Sequence, residues 1–322
     1  MNDYLYKISS HIITFIGSLL LIIGVIAAFL GPVESYCYYL FSEGGRFHYE
    51  GFGIGSFMFG NITMQIWGYY IIAFICIPLG YGHLKKYLWI KKISLTFLYV
   101  WFVVGIPILP IILFIIVTNY EPSLLIIILS AIFCLFSYTL IPFILIKFYK
   151  SKSVEMALNK NGTKNNFVDK YPISLLMMII LYIFYIYAFH VLLLFKGIFP
   201  FLGQWITDLK GMILISLSIL FLTALIIGTF NKKLWSWWAS FLYFIFFIAS
   251  SILTLLFSDF SEIVTLLKFP STETNALINI PLNGFHLSVI FVIPIIITLG
   301  IIIFSRKYFI TLTENRITKK LT

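Results

Sequence analysis

Eight stretches of 19 to 25 residues in this 322-residue chain contain no Asp, Glu, Lys or Arg. They run over 11–31, 64–82, 93–117, 123–146, 172–195, 211–230, 236–257 and 287–305. An uncharged apolar run of about 18 or more residues can cross the roughly 30 Å hydrocarbon core of a bilayer as a helix. Lipid offers the backbone no hydrogen bonds, so a span must satisfy its own, which a helix does and an open strand does not. None of the runs alternates apolar and polar residues as a barrel strand would. The chain therefore reads as all-α: a polytopic integral membrane helix bundle of about eight transmembrane helices, organised as a single transmembrane domain over 1–322. Composition agrees with this. Hydrophobic residues make up 61% and charged residues 11%, against about 45–50% and about 25% in soluble domains.

The net charge of +10 arises from 22 Lys and Arg against 12 Asp and Glu. With the N-terminus inside, 18 of those 22 basic residues fall in inner segments, and only Arg46, Lys196, Lys210 and Lys268 lie outside. The positive-inside bias then places both the N- and C-termini in the cytoplasm, and the plasma membrane is the expected location. The charge is thus a topology signal with some attraction to anionic headgroups. Membrane lipids are the expected partners, together with a protein partner or a homo-oligomer, and nucleic acid is not. The run from His11 to Gly31 exceeds the apolar core of a signal peptide, about 7–15 residues, and no A-x-A-like site follows it, so it reads as a permanent span. Cys37 is the one cysteine outside the spans, so no disulfide framework is implied.

The spans hold no carboxylate, and buried carboxylates commonly serve as relays in ion-coupled carriers. Acid–base chemistry deep in the bilayer is disfavoured for the same reason. The outer loop 32–63 is rich in aromatic residues and glycine, and we expect it to fold over the outer helix ends. Within it Arg46, His48 and Glu50 share one face of an extended strand. With Glu43 they are the candidate catalytic residues of an outer-surface enzyme. Two ligand types without a third at fixed spacing do not make a metal site, and no cofactor is expected. The glycines at 51, 53 and 55 lack the strand and helix that frame a phosphate loop.

A substrate path is the second candidate. In the third span Pro107 and Pro110 each remove a backbone donor, freeing the carbonyls of Val103 and Ile106, and freed carbonyls line substrate paths in transporters. His190, with Tyr187 one helical turn back, adds a titratable group in the outer part of the fifth span.

Small residues mark close helix contacts. Gly17, Gly24 and Gly31 recur every seven residues, and Gly24-x-x-x-Ala28 fits small-residue packing. Ser216, Thr223 and Ala224-x-x-x-Gly228 suggest the same for the sixth span. Trp235, Trp237 and Trp238 beside Lys232 and Lys233 read as an inner interfacial anchor. The inner loop 147–171 is a basic, partly helical connector, and no internal repeat is visible in loop lengths or residue pattern. Three functions follow: a permease-like component moving a small or lipidic solute, passively or powered by a partner; a non-catalytic membrane subunit or scaffold; and an outer-surface lipid- or headgroup-modifying enzyme.

Overall fold

The apolar runs fold as helices. The computed structural model describes residues 2–42, 44–47, 56–120, 123–159, 167–280 and 282–309, with the side chains of 2–5, 106–120 and 159 excepted. Among these residues seven helical segments are long and apolar enough to cross a membrane. They are Tyr6–Phe41, Phe57–Leu84, Leu124–Lys150, Ile173–Leu194, Asp208–Phe230, Leu234–Leu255 and Gly284–Ser305. The expected span 93–117 lies within one further long helix, α3 (Trp89–Tyr120). The chain divides into two compact units, Met1–Leu98 with Ile144–Lys170, and Tyr99–Phe143 with Tyr171–Thr322.

The first unit is built on α1 (Asn2–Phe41) and α2 (Phe57–Leu84), packed antiparallel along the heptad glycines. A Cβ on Gly24 would lie 2.9 Å from the backbone nitrogen of Ile77, and one on Gly80 would lie 2.7 Å from that of Leu21. Gly31 meets the ring of Tyr70, and Gly17 meets Gly80 and His83. The small residues thus let two backbones approach, as expected from their spacing. The pair is longer than the apolar runs alone predict. Residues 32–41 continue α1 through Pro32, and 57–63 already belong to α2, so much of the expected outer loop is helix. The two extensions support each other: the rings of Tyr38 and Phe59 lie 5.0 Å apart. The basic connector contributes α6 (Lys152–Asn159), whose Val154, Ala157 and Leu158 are buried.

In the second unit, α7 (Ile173–Leu194), α8 (Asp208–Phe230), α9 (Leu234–Leu255) and α12 (Gly284–Ser305) surround a core that includes Leu175, Met178, Tyr182, Ile215, Phe244 and Ile302. On α8 the inward face is Ile215, Ser218, Leu222 and Leu225. The expected packing residues Ser216, Thr223 and Ala224 point outward instead, because the larger side chains of the opposite face fill the space between helices. Trp237 is likewise no interfacial anchor. It is buried and donates through Nε1 to the carbonyl of Ile302 at 2.7 Å, while Trp235 and Trp238 stay exposed.

The segment between α7 and α8 forms a hairpin, β1 (Phe199–Phe201) with β2 (Gln204–Ile206), antiparallel and in the register Phe199↔Ile206. Its turn residues Leu202 and Gly203 have φ of 45° and 90°, the left-handed region used by tight hairpin turns. Their amides donate to Ser250 Oγ at 2.9 Å and Thr254 Oγ1 at 3.0 Å. Trp205 Nε1 donates to Ser258 Oγ at 2.8 Å. Three hydroxyls spaced by four, Ser250 and Thr254 on α9 and Ser258 just beyond its end, therefore hold the hairpin. The helices α10 (Phe260–Leu267) and α11 (Ser271–Leu277) complete this end of the unit.

One turn occurs twice. Gly82-x3-Lys86-x-Leu88-Trp89 joins α2 to α3, and Gly228-x3-Lys232-x-Leu234-Trp235 joins α8 to α9. In the first, Tyr87 N donates to Gly82 O and Lys86 N to His83 O; in the second, Lys233 N donates to Gly228 O and Lys232 N to Thr229 O. This paired bonding closes a helix C-terminus around a left-handed residue, here Lys86 (φ 53°) and Lys232 (φ 49°). In both, a Cβ on the glycine would sit 2.8 Å from Cζ2 of the tryptophan. The turn falls between the second and third of the first four long helical segments, and again between the second and third of the last four (α7, α8, α9, α12). The expectation of no repeat therefore fails at this turn. Its signature is four fixed residues in eight, too sparse to stand out among apolar runs.

Candidate functional site

The expected site residues do not gather in one place. Glu43, His48 and Glu50 lie outside the described residues, as do the glycines at 51, 53 and 55. Arg46 and Phe47 belong to a turn rather than a strand, with Phe47 N donating to Leu40 O at 2.9 Å. The Arg46 guanidinium lies over the Phe47 ring, 5.7 Å from its centroid. His190 is exposed on α7, and its Nδ1 is bonded to the carbonyl of Ile186 one turn back at 2.7 Å. Tyr187 on the same helix is half-buried. His286 caps the start of α12 in a reciprocal pair with Asn283. Among the described residues no three His, Cys, Asp or Glu side chains come together as a metal ion would require.

Pro107 and Pro110 lie within α3, which is helical from Trp89 to Tyr120. The carbonyls of Val103 and Ile106 lose their helical donors without the helix ending. A second irregularity faces this segment. Between α4 (Leu124–Leu135) and α5 (Ile141–Lys150) the chain makes a π-turn over Phe136–Leu140, in which Ile141 N reaches back five residues to Phe136 O. Such single π-turns interrupt the regular ladder and recur at functional sites. This one carries Ser137, Tyr138 and Thr139, all half-buried. A Cβ on Gly105 would lie 3.0 Å from Cβ of Tyr138 and 3.2 Å from its carbonyl oxygen. Gly105, two residues before Pro107, therefore touches the π-turn, each near the middle of its helix, and Val103 and Val104 beside it pack on the core of the second unit. Sequence reading found the prolines but not their counterpart, since a π-turn leaves no mark in an apolar run beyond its polar residues.

A different polar centre lies in the first unit. His83 is wholly buried. Its Nδ1 is 2.6 Å from the carbonyl of Leu79, and its Nε2 is 2.6 Å from the Tyr149 hydroxyl. A carbonyl only accepts, so Nδ1 carries the proton and the neutral ring accepts at Nε2 from Tyr149. Around it Lys86 donates to Ser10 Oγ at 2.6 Å, Lys91 pairs with Glu155 at 3.0 Å and Lys92 donates to Asp169 O at 2.9 Å. Every hydrogen-bonding group of the histidine is engaged, which makes the centre a structural clasp. From sequence His83 reads as an interfacial residue. The clue to its burial is Gly17, whose missing side chain leaves room for it.

Helices of this length and composition define a multi-pass integral membrane protein. No protein family, no curated protein and no solved structure matches the chain.

Proposed function

We propose that this protein is a permease-like component that moves a small or lipidic solute, passively or under power from a partner. The contact of Gly105, just before Pro107 and Pro110 in α3, with the π-turn carries this reading. Two helices are irregular at the same level, near mid-length, where transporters place their binding sites and where freed carbonyls and hydroxyls are otherwise costly. The proposed topology has eight spans, α3 included, with both termini in the cytoplasm of a cell with the protein in its plasma membrane. The clustering of Lys85, Lys86, Lys232 and Lys233 at inter-helix turns, with Lys91 and Lys92 in the first turn of α3, supports that orientation. The test is flux into proteoliposomes for a panel of uncharged solutes and a labelled phospholipid. Wild type should exceed empty liposomes for at least one of them, and Pro107→Ala/Pro110→Ala should remove that flux while the protein still folds. Unchanged flux in the double variant contradicts the path.

One observation favours a second reading, a non-catalytic subunit. Only 6% of the most apolar window of Leu124–Lys150 is buried, against 50% for Ile173–Leu194. A span so little covered by its own chain suits contact with another protein. Native mass spectrometry from membranes tests this, because a stoichiometric partner supports it and a solitary protein opposes it.

A further inference from the structure

The α8–α9 turn and the end of α12 place four cations, Lys232, Lys233, Arg306 and Lys307, at one end of the second unit. We propose that they form a binding site for the phosphate of an anionic phospholipid, with Arg306 as its grip. Arg306 caps α12, and its guanidinium lies over two indoles of α9, 5.2 Å from the Trp237 ring and 5.9 Å from that of Trp238. Those rings meet at 77°, so the guanidinium sits in the corner between them. Trp237 is a fixed wall, being buried, bonded through Nε1 to Ile302 O and stacked on Phe241. A cation within about 6 Å of an aromatic face is held by the ring without using its N–H groups. Among the described residues the Arg306 guanidinium donates no hydrogen bond, so an oriented fork of donors faces outward.

The surroundings favour an anion. Lys233 leads into α9 one helical turn before Trp237 and is exposed, as are Arg306 and Lys307. The described carboxylates of this unit are Asp208, Asp259, Glu262 and Glu273. They lie at the start of α8 and beyond the end of α9, which is the other end of these helices. The matching turn of the first unit differs, because there Lys86 donates to Ser10, Lys91 pairs with Glu155 and Lys92 donates to the Asp169 carbonyl. The planar fork of an arginine matches two oxygens of one phosphate, which an ammonium does not. A lipid suits the position better than a free phosphate. Arg306 directly follows a membrane span, whose last turn exposes Ile303 and Phe304, and α9 exposes Trp235 and Trp238. These apolar side chains can cover the glycerol and acyl chains while the cations hold the headgroup.

This site uses no residue of the proposed path and does not depend on the transport reading. The test is native mass spectrometry of the full chain in detergent, titrated with dioleoylphosphatidylglycerol or with dioleoylphosphatidylcholine. Wild type should retain the anionic lipid more tightly than the zwitterionic one. Arg306→Gln should weaken retention of phosphatidylglycerol about tenfold, as the loss of a charge-assisted contact implies. Arg306→Lys keeps a cation over the indoles but not the fork, so its affinity should fall between those of wild type and Arg306→Gln. It also carries the comparison if Arg306→Gln does not fold. Lys210→Gln, at an exposed cation in the first turn of α8, should bind as wild type does. Equal affinity for the two lipids overturns the proposal. So do equal losses in Arg306→Gln and Lys210→Gln, which would leave only diffuse surface charge. Inorganic phosphate at millimolar concentration should not displace the lipid, and displacement would mark a site for the free ion and overturn the lipid assignment.

Discussion

The turns at Lys86 and Lys232 share backbone, bonding and tryptophan contact, yet the side chain after each glycine is used differently. His83 and Thr229 occupy that position, and both are wholly buried. His83 is bonded at both ring nitrogens and ties α2 to α5. The Thr229 hydroxyl has no partner among the described residues. The common turn is therefore a structural module, and what it buries is free to vary. The first unit spends its buried polarity on a closed clasp and packs by glycine. The second unit holds the proposed path, where Gly105 meets the π-turn.

The largest test of this contrast is in the glycine seam. Gly80→Leu should separate α1 from α2 and cost about 3 kcal/mol or more, since the neighbours are backbone atoms that cannot yield. Gly300 on α12 has nothing within 4 Å of a Cβ position, so Gly300→Ala should gain about 0.5–1 kcal/mol from helix propensity. Thermal unfolding in detergent separates the two. Equal effects would show that the seam is not a close contact.

Next in size is the position after the turn glycine. His83→Leu strands the Tyr149 hydroxyl and should cost about 1–3 kcal/mol. Thr229→Val removes a hydroxyl that holds nothing and should be neutral or slightly stabilising. A destabilising Thr229→Val would erase the distinction between the two turns. Smaller again is Ser250→Ala, which loses the bonds to Leu202 N and Pro200 O. Hydrogen exchange at Leu202 should accelerate, with global stability falling by about 1 kcal/mol. Smallest is Lys→Gly at 86 and 232. Relief of the left-handed conformation, worth about 1 kcal/mol, is offset by loss of a cation at a helix C-terminus, about 0.3–1 kcal/mol, and of one side-chain contact each, Lys86 to Ser10 Oγ and Lys232 over the Tyr171 ring. Both variants should therefore lie near wild type and near each other, and a large difference in melting temperature between them would break the equivalence of the turns.

These contrasts also mark what a sequence can carry. Long uncharged runs state the helices almost directly, because a bilayer permits little else, and Gly17, Gly24 and Gly31 announce their seam by spacing. Helix ends are less legible. Pro32 looks like a stop, yet α1 continues because α2 extends beside it. Which face of α8 turns inward is decided by its neighbours, so Ser216 and Thr223 misled. The hairpin rests on three hydroxyls some fifty residues further along the chain, and the π-turn on local backbone geometry. Neither has a periodic signature. Of the candidate site, Pro107 and Pro110 could be read as helix irregularities, whereas Tyr138 acquires meaning only from what lies against it.

The account rests on the level of α3 and the π-turn being a polar path rather than a packed kink. Ser137→Cys and Thr139→Cys, made in a background without Cys37, Cys76 and Cys134, test it through reaction with a charged methanethiosulfonate that does not enter lipid. Ile132→Cys, on an exposed apolar position of α4, is the control. Modification at 137 or 139 with none at 132 is the predicted result. If 137 and 139 are as inert as 132, no aqueous path reaches the π-turn and the transport reading is contradicted.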